Sequence, residues 1–186
     1  QQIVDARIDV WDDGWDPRGL PRAFDFEGVP KQRVELISGG VANAVVYDSY
    51  TAFREGKEST GHALPAPNPH GPLPMNLFMG AGSATKLEML ANIERGLWVT
   101  RFHYVNVVHP TRTILTGMTR DGTFLVENGE IVGPVKNLRF TQSVIEALSN
   151  VRMIGKETRL VSSDGATTLV PALLVESFRF TGTTEF

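Results

Sequence analysis

The chain has 186 residues, 41% hydrophobic and 21% charged, with a formal net charge of −3. Such a chain is globular and near the size of one domain, burying roughly 70% of the surface its unfolded form exposes. Lys and Arg are scattered rather than blocked, which argues against nucleic acid as a partner. No apolar run approaches the roughly 18 residues of a membrane helix, so a membrane partner is not expected.

Cys is absent, which removes disulfides, thiol nucleophiles and cysteine metal ligands and accords with a cytoplasmic location. No charged-then-apolar leader pattern opens the sequence. The first residues, QQIVDARIDVW, lack an initiator methionine, and a processed or truncated product is the expectation.

Ile3, Ala6, Ile8 and Val10 fall near alternation and predict a strand over 3–11. Asp12, Asp13, Gly14, Pro17 and Gly19 then read as a polar turn region. Gln32 to Ile37 reads as a second strand ending at Gly39-Gly40, and Ala44 to Tyr50 as a third. The three could form a meander with one face on the core. Residues 54–76 hold five Pro and three Gly, a density that no helix or central strand tolerates, and predict a long loop. Such a loop is either plain surface or an extended segment lining a groove.

Gly80-Ala81-Gly82 leads into a predicted helix with Ser83 as N-cap and Gly96 as its stop. Alternation resumes from Leu97 to His109. Ile114 to Thr116 and Thr123 to Val126 read as short strands around a polar connection. Glu127-Asn128-Gly129-Glu130 is a hairpin signal, since Asn-Gly supplies the two φ > 0 positions of a type I′ turn. Ile131 to Val135 is the return strand, and a second helix begins at Ser143, where Glu146 completes a capping-box pattern. Val151, Met153 and Ile154 continue the burial. Arg159 to Ser162 and Thr167 to Val170 flank a turn at Ser163-Asp164-Gly165. ALLVESFRF, from Ala172 to Phe180, reads as a final strand, with Thr181 to Phe186 loose. The sum is an α+β fold, predominantly antiparallel sheet with about two short helices, in a single domain over 1–186.

Candidate chemistry is sparse. His62, His70, His103 and His109 lack the two-His helical spacing that places imidazoles on one face, and read as packing or surface residues. Asp12, Asp13 and Asp16, or Asp25 with Glu27, could chelate a hard cation, although the calcium-loop pattern is absent and a solvated turn is the simpler reading. Ser59-Thr60-Gly61 and Ser162-Ser163-Asp164 place hydroxyls near turns without the G-x-S-x-G nucleophile pattern, and read as backbone caps. Gly80-Ala81-Gly82 lacks the Lys-Ser/Thr ending of a phosphate loop and suits a close backbone approach better, as does Gly39-Gly40. An exposed strand edge near such glycines could bind an extended peptide through main-chain hydrogen bonds.

Four ordered blocks carry a resemblance: DFEGVPKQRVELISGGV (25–41), YTAFREGKESTGHA (50–63), MNLFMGAGSATKLEMLANIERGLWV (75–99) and VENGEIVGPVKNLRFTQSVIEALSNVRMIG (126–155). They look like consecutive signatures of the TldD/PmbA family, and VPALLVESFRF (170–180) resembles its closing strand. The resemblance covers nearly the whole chain and points to the C-terminal portion of such a protein. It implies a metallopeptidase acting on peptides or unfolded protein segments, working as a homodimer or with a related subunit, in a family also labelled modulator of DNA gyrase. In the active type, a His-Glu-x-x-x-His helix lies upstream of the block that here begins Asp25-Phe26-Glu27-Gly28, and a Cys near the C-terminus completes the zinc shell. This sequence contains neither. No catalytic, cofactor-binding or metal residue is therefore assigned, and Zn is expected only with an upstream helix of that pattern. Either such a helix precedes Gln1 in a longer chain, or the parent is a partner-type subunit without the metal residues, in which case this is a noncatalytic peptide-binding or assembly module.

Overall fold

The computed structural model describes residues 1–163 and 165–183. The chain divides into two compact units, Gln1–Ala81 with Glu157–Ala172 and Gly82–Lys156 with Leu173–Phe186, described here separately. The class is α+β with mainly antiparallel sheet, as expected, and the described residues form three short α-helices.

The first unit is built on a six-stranded sheet. Its members are β1 (Val10–Asp12), β2 (Val34–Ser38), β3 (Val41–Ala42), β4 (Asn76–Met79), β9 (Val151–Ser163) and β10 (Ala166–Val175), in the order β3-β2-β1-β4-β10-β9. The first two expected strands pair antiparallel as β1 and β2, and β2 pairs antiparallel with β3, which was not anticipated, whereas β4 and β10 pair in parallel. The predicted strand over 3–11 shrinks to Val10–Asp12. Asp5 accepts from the Arg7 N–H at 2.9 Å, and Ile8 N donates back to the Asp5 carbonyl at 3.0 Å, so the chain turns there instead of extending.

The third predicted strand, Ala44 to Tyr50, is also corrected. Only Val41–Ala42 pairs, and Ser49–Glu55 is a helix, α1. Asp48 caps it, accepting from Thr51 N at 2.7 Å while the Thr51 hydroxyl accepts from Asp48 N. Gly56 closes it at φ 63°. Beyond the helix, 56–75 stays irregular, in keeping with its prolines, and β4 follows without having been anticipated. Ile8, Val4, Val34 and Phe78 are buried in this unit, with Trp11 stacked on Phe78 at 5.8 Å. Gly40, at φ 74°, meets the N-terminal segment: Ile3 N and Val4 N both donate to its carbonyl, and a Cβ there would sit 2.6 Å from the Asp5 carbonyl.

The second unit carries β5 (Arg95–His109), β6 (Ile114–Glu127), β8 (Leu138–Ser143) and β11 (Phe180–Thr183) in the order β11-β8-β6-β5, with β7 (Glu130–Pro134) also paired to β6. The two short strands expected at 114–126 are one strand. Asp121 and Gly122, both at positive φ, are absorbed as a bulge against β5 rather than forming a connection. The Asn128-Gly129 turn has φ 49° and 84°, as a type I′ hairpin requires.

Helix α2 (Lys86–Ala91) starts later than expected. Thr85, not Ser83, is the N-cap and exchanges hydrogen bonds with Glu88, and the helix ends at Asn92 rather than Gly96. Gly82 instead lies against β9, donating to the Gly155 carbonyl at 3.0 Å, where a Cβ would collide with the Ile154 carbonyl. Helix α3 (Val144–Ser149) begins at the expected Ser143, which accepts from Glu146 N. The reciprocal half of the box is replaced: the Glu146 carboxylate takes Gln142 Nε2 at 3.3 Å.

At the end, β10 runs unbroken through Pro171 to Val175. The expected 172–180 strand is cut after it, and Phe180–Thr183, expected to be loose, pairs with β8. Thr184 to Phe186 and the Asp164 turn position lie outside the described residues. Phe102, Phe140, Phe178 and Phe180 form the aromatic centre of this unit, with ring centroids 4.7–5.4 Å apart.

Candidate functional site

The first unit encloses a buried polar cluster at the end of β1. Asp12 is fully buried. Its Oδ2 accepts from Asn76 N at 2.8 Å, and its Oδ1 lies 2.9 Å from His62 Nε2 and 3.9 Å from Lys31 Nζ. A carboxylate oxygen only accepts, so Nε2 donates to Asp12. Nδ1 lies 2.9 Å from the Thr60 hydroxyl. Thr60 Oγ1 in turn accepts from Tyr47 N at 2.7 Å.

The Asn76 side chain completes the assembly. Its Oδ1 takes Leu20 N and the Thr167 hydroxyl, and its Nδ2 donates to the Asp13 and Asp16 carbonyls. The cluster thus ties β1, the 56–75 segment, β4 and β10 by side chains that are otherwise costly to bury. One group is left over. The Lys31 amine is buried without a hydrogen-bond partner among the described residues, and its aliphatic stem packs on Gly14. Burial pushes its pKa below the ordinary lysine value, and the Asp12 and Asp25 charges oppose that shift.

Beside this cluster lies an open groove of about 530 Å³, lined by Val34, Ala42 to Val45, Tyr47, Lys57, Glu58 and Thr60. Thr60 belongs to both, so the buried His62–Asp12 pair fixes one wall of the groove. The segment 43–48 runs on from β3 outside any regular strand, with Ala44 and Val45 exposed. Asn43 N still reaches the Leu36 carbonyl, but the N–H groups of Ala44, Val45 and Val46 have no hydrogen bond among the described residues. Unpaired backbone beside a groove can accept an added strand.

A second cavity, also about 530 Å³, lies in the other unit among His103, Tyr104, Met118, Arg120, Asp121 and Asn137. Tyr104 and Asp121 line it from positive-φ positions on β5 and β6, φ 51° and 61°. Arg101 pairs with Asp121 at 2.6 Å.

The remaining candidates serve the backbone. Asp13 and Asp16 accept from Trp15 N and Arg18 N, and Arg18 also pairs with Asp16 and holds its carboxyl below the usual range. Asp25 accepts from the N–H groups of Glu27, Val29 and Ala63. Glu27 takes Ser49 N, and Ser59 holds Gly61 N and the Tyr47 carbonyl. His70 and His109 are exposed, and His103 is half-buried. Among the described residues no three or more His, Asp or Glu side chains group as metal ligands. The most enclosed donors do not fit zinc either, since both His62 nitrogens and both Asp12 oxygens are already engaged. Ser162 lies in β9, whereas the Ser163 side chain and Asp164 lie outside the description.

The Thr60–His62–Asp12 connection was not legible, because 50 residues separate the imidazole from its carboxylate. The i, i+2 spacing of Thr60 and His62 in an extended segment was the one available hint.

Residues 1–182 match the family model described as PmbA/TldA metallopeptidase C-terminal domain. The chain is similar to a metalloprotease TldD homolog of Haemophilus influenzae, 26% identical over 163 residues, covering 86% of this chain and 33% of that protein. It is also similar to a zinc metalloprotease TldD homolog of Saccharolobus solfataricus, 28% identical over 145 residues, covering 72% of this chain and 30% of that protein. Among solved structures, TldE from Thermococcus kodakarensis superposes with a TM-score of 0.83 at 25% identity, covering 98% of this chain and 41% of that one. The chain therefore spans about a third of the curated relatives it matches. With nearly its whole length matched by one model, it belongs to the PmbA/TldA metallopeptidase C-terminal domain family.

Proposed function

We propose that this domain serves a TldD/PmbA-type zinc metallopeptidase by holding extended peptides or unfolded segments in the groove beside β3. The zinc ligands would come from elsewhere in the peptidase, so the chain alone binds without cleaving. The carrying observation is the unpaired backbone of Ala44, Val45 and Val46 along a groove of about 530 Å³. A strand added there gains main-chain hydrogen bonds regardless of sequence, and the apolar Val34, Ala42 and Val45 surfaces take alternate side chains. That suits a partner recognised for being unfolded. The same reading places the domain beside a second copy or a related subunit in the cytoplasm, as the family resemblance implies.

Calorimetry of the 186-residue chain with an unstructured peptide tests this. Saturable binding without turnover, weakened at least tenfold by Val45→Pro with no loss of thermal stability, is the expected result, because Pro removes a donor that the fold does not use. Binding unaffected by that substitution, or no binding, would overturn the groove assignment. Cleavage by the isolated chain would overturn the division of labour.

A further inference from the structure

The long β5–β6 pair carries different chemistry on its two faces. In register, Arg101 lies opposite Arg120, Phe102 opposite Thr119 and His103 opposite Met118, and Met118 lies opposite Arg139 on β8. Alternation turns Phe102, with Phe140, into the aromatic centre. It turns Arg101, His103, Met118, Arg120 and Arg139 to the opposite face. On that face opens the cavity of about 530 Å³ in which Tyr104, Asp121 and Asn137 join His103, Met118 and Arg120.

Charge on this face is one-sided. Residues 97–126 and 133–145 hold Arg101, Arg112, Arg120, Lys136 and Arg139, and Asp121 is their single carboxylate. Asp121 is shared between Arg101 at 2.6 Å and Arg120 at 3.9 Å. Arg139 has neither an ion pair nor a side-chain hydrogen bond among the described residues. With Asp121 fully ionised, the guanidinium groups of Arg101, Arg120 and Arg139 still leave two positive charges in excess, on a chain whose overall charge is −3. Arg101 and Arg120 stand directly across from each other, an arrangement that like charges disfavour unless an anion lies with them. The backbone points the same way. Tyr104 and Asp121 hold left-handed conformations, φ 51° and 61°, on the two facing strands, and a bulky ring at such a position is unfavourable where Gly would serve. The Tyr104 side chain is 72% exposed, and its hydroxyl and the His103 ring have no hydrogen-bond partner among the described residues.

We propose that this cavity binds a small molecule carrying a phosphate monoester on an aromatic or apolar body. A monoester brings close to two negative charges at neutral pH and three strong acceptor oxygens, which match the excess charge and the guanidinium donors. A single carboxylate neutralises only half of that excess. The Tyr104 ring and the Met118 thioether offer surface to the body of the ligand, and His103 and the Tyr104 hydroxyl offer further donors. A concave site of this volume is the size that small ligands fill, whereas a protein partner needs roughly 800 Å² of broader surface. The site lies in the second unit and does not depend on the groove beside β3.

The test titrates phenyl phosphate, benzoate and a Glu-rich peptide separately into the 186-residue chain by calorimetry. Phenyl phosphate should bind with a Kd on the order of 100 μM, and the other two at least about tenfold more weakly. Arg120→Gln and Arg139→Gln should each weaken phenyl phosphate about tenfold. Asp121→Asn should tighten it about threefold, because Asn accepts the left-handed backbone while the competing carboxylate is gone. Tyr104→Gly should weaken it about tenfold with thermal stability unchanged or raised, since Gly adopts that φ freely. Absence of phenyl phosphate binding, or indifference to Arg120→Gln and Arg139→Gln, would overturn the proposal. Equal binding of benzoate or of the Glu-rich peptide would overturn it too, assigning the face to carboxylates, including those of a longer chain. So would a loss of thermal stability in Tyr104→Gly, which would return that ring to the fold.

Discussion

The two units solve the same problem with different materials. The first centres on ionisable and amide side chains: Asp12, His62, Lys31 and Asn76, all buried, with Thr60 at the margin. The second centres on rings, with Phe140 packed against Phe102 and Phe178 and a long β5–β6 pairing beside them. Rings pack in many nearly equivalent ways and lose stability gradually when trimmed. A buried carboxylate with three neighbours tolerates one arrangement, because each group left unpaired carries its own desolvation cost. The polar centre is thus suited to hold a groove wall at fixed geometry, while the aromatic centre only has to be filled.

The sharpest way to break this contrast is Asp12→Ala. It strands the Asn76 N–H, His62 Nε2 and the Lys31 ammonium together, and should cost about 3–5 kcal/mol, read from denaturant unfolding. Hydrogen exchange should rise first in β1, β2 and β4; equal loss of protection in β6 and β8 would end the claim that the cluster serves its own unit. Phe140→Ala should cost about 3 kcal/mol, the low end for a ring in a core, since its aromatic neighbours can partly close the cavity. Here protection should fall first in β6 and β8.

Thr60→Val keeps the volume but leaves Tyr47 N–H and His62 Nδ1 without a partner, at a cost of about 1–3 kcal/mol. If the groove wall depends on this hydroxyl, peptide affinity should fall together with stability.

Lys31→Met should cost about 1 kcal/mol at neutral pH, because relief from burying an unbonded amine is offset by loss of the cation 3.9 Å from the buried Asp12 carboxylate. Its pH signature has a definite sign. The folded pKa lies below the unfolded value near 10.5, so the unfolded chain binds the extra proton between the two. Wild-type stability should therefore rise with pH across the window below 10.5, relative to Lys31→Met. A difference that is flat or falling with pH would show that Asp12 outweighs burial at this site.

Local rules read well wherever the physics was local. The Asn128-Gly129 hairpin, the Ser143 cap and the antiparallel β1–β2 pair follow from turn chemistry, capping and alternation over a few residues. Readings failed where two local signals competed. Asp48 and Thr51 form a capping pair inside a stretch rich in Val and Tyr, and the cap prevailed over the strand pattern from Ser49 onward. Asp121-Gly122 looked like a connection, yet cross-strand pairing on both sides carried the strand through it. Thr181 to Thr183 offered no apolar pattern and were ordered by β8 alone.

By itself, then, the sequence determined the α+β class, the family, the proline-dense segment and the hairpins, because each rests on neighbours along the chain or on matched blocks. Tertiary structure alone decided which of four histidines is buried and what it meets. It brought Asp12, Lys31, His62 and Asn76 together from four separate stretches, and left the backbone of 44–46 open beside the wall they hold. Burial creates that site, since an Asp and a His 50 residues apart acquire a defined partner only when water is excluded from both.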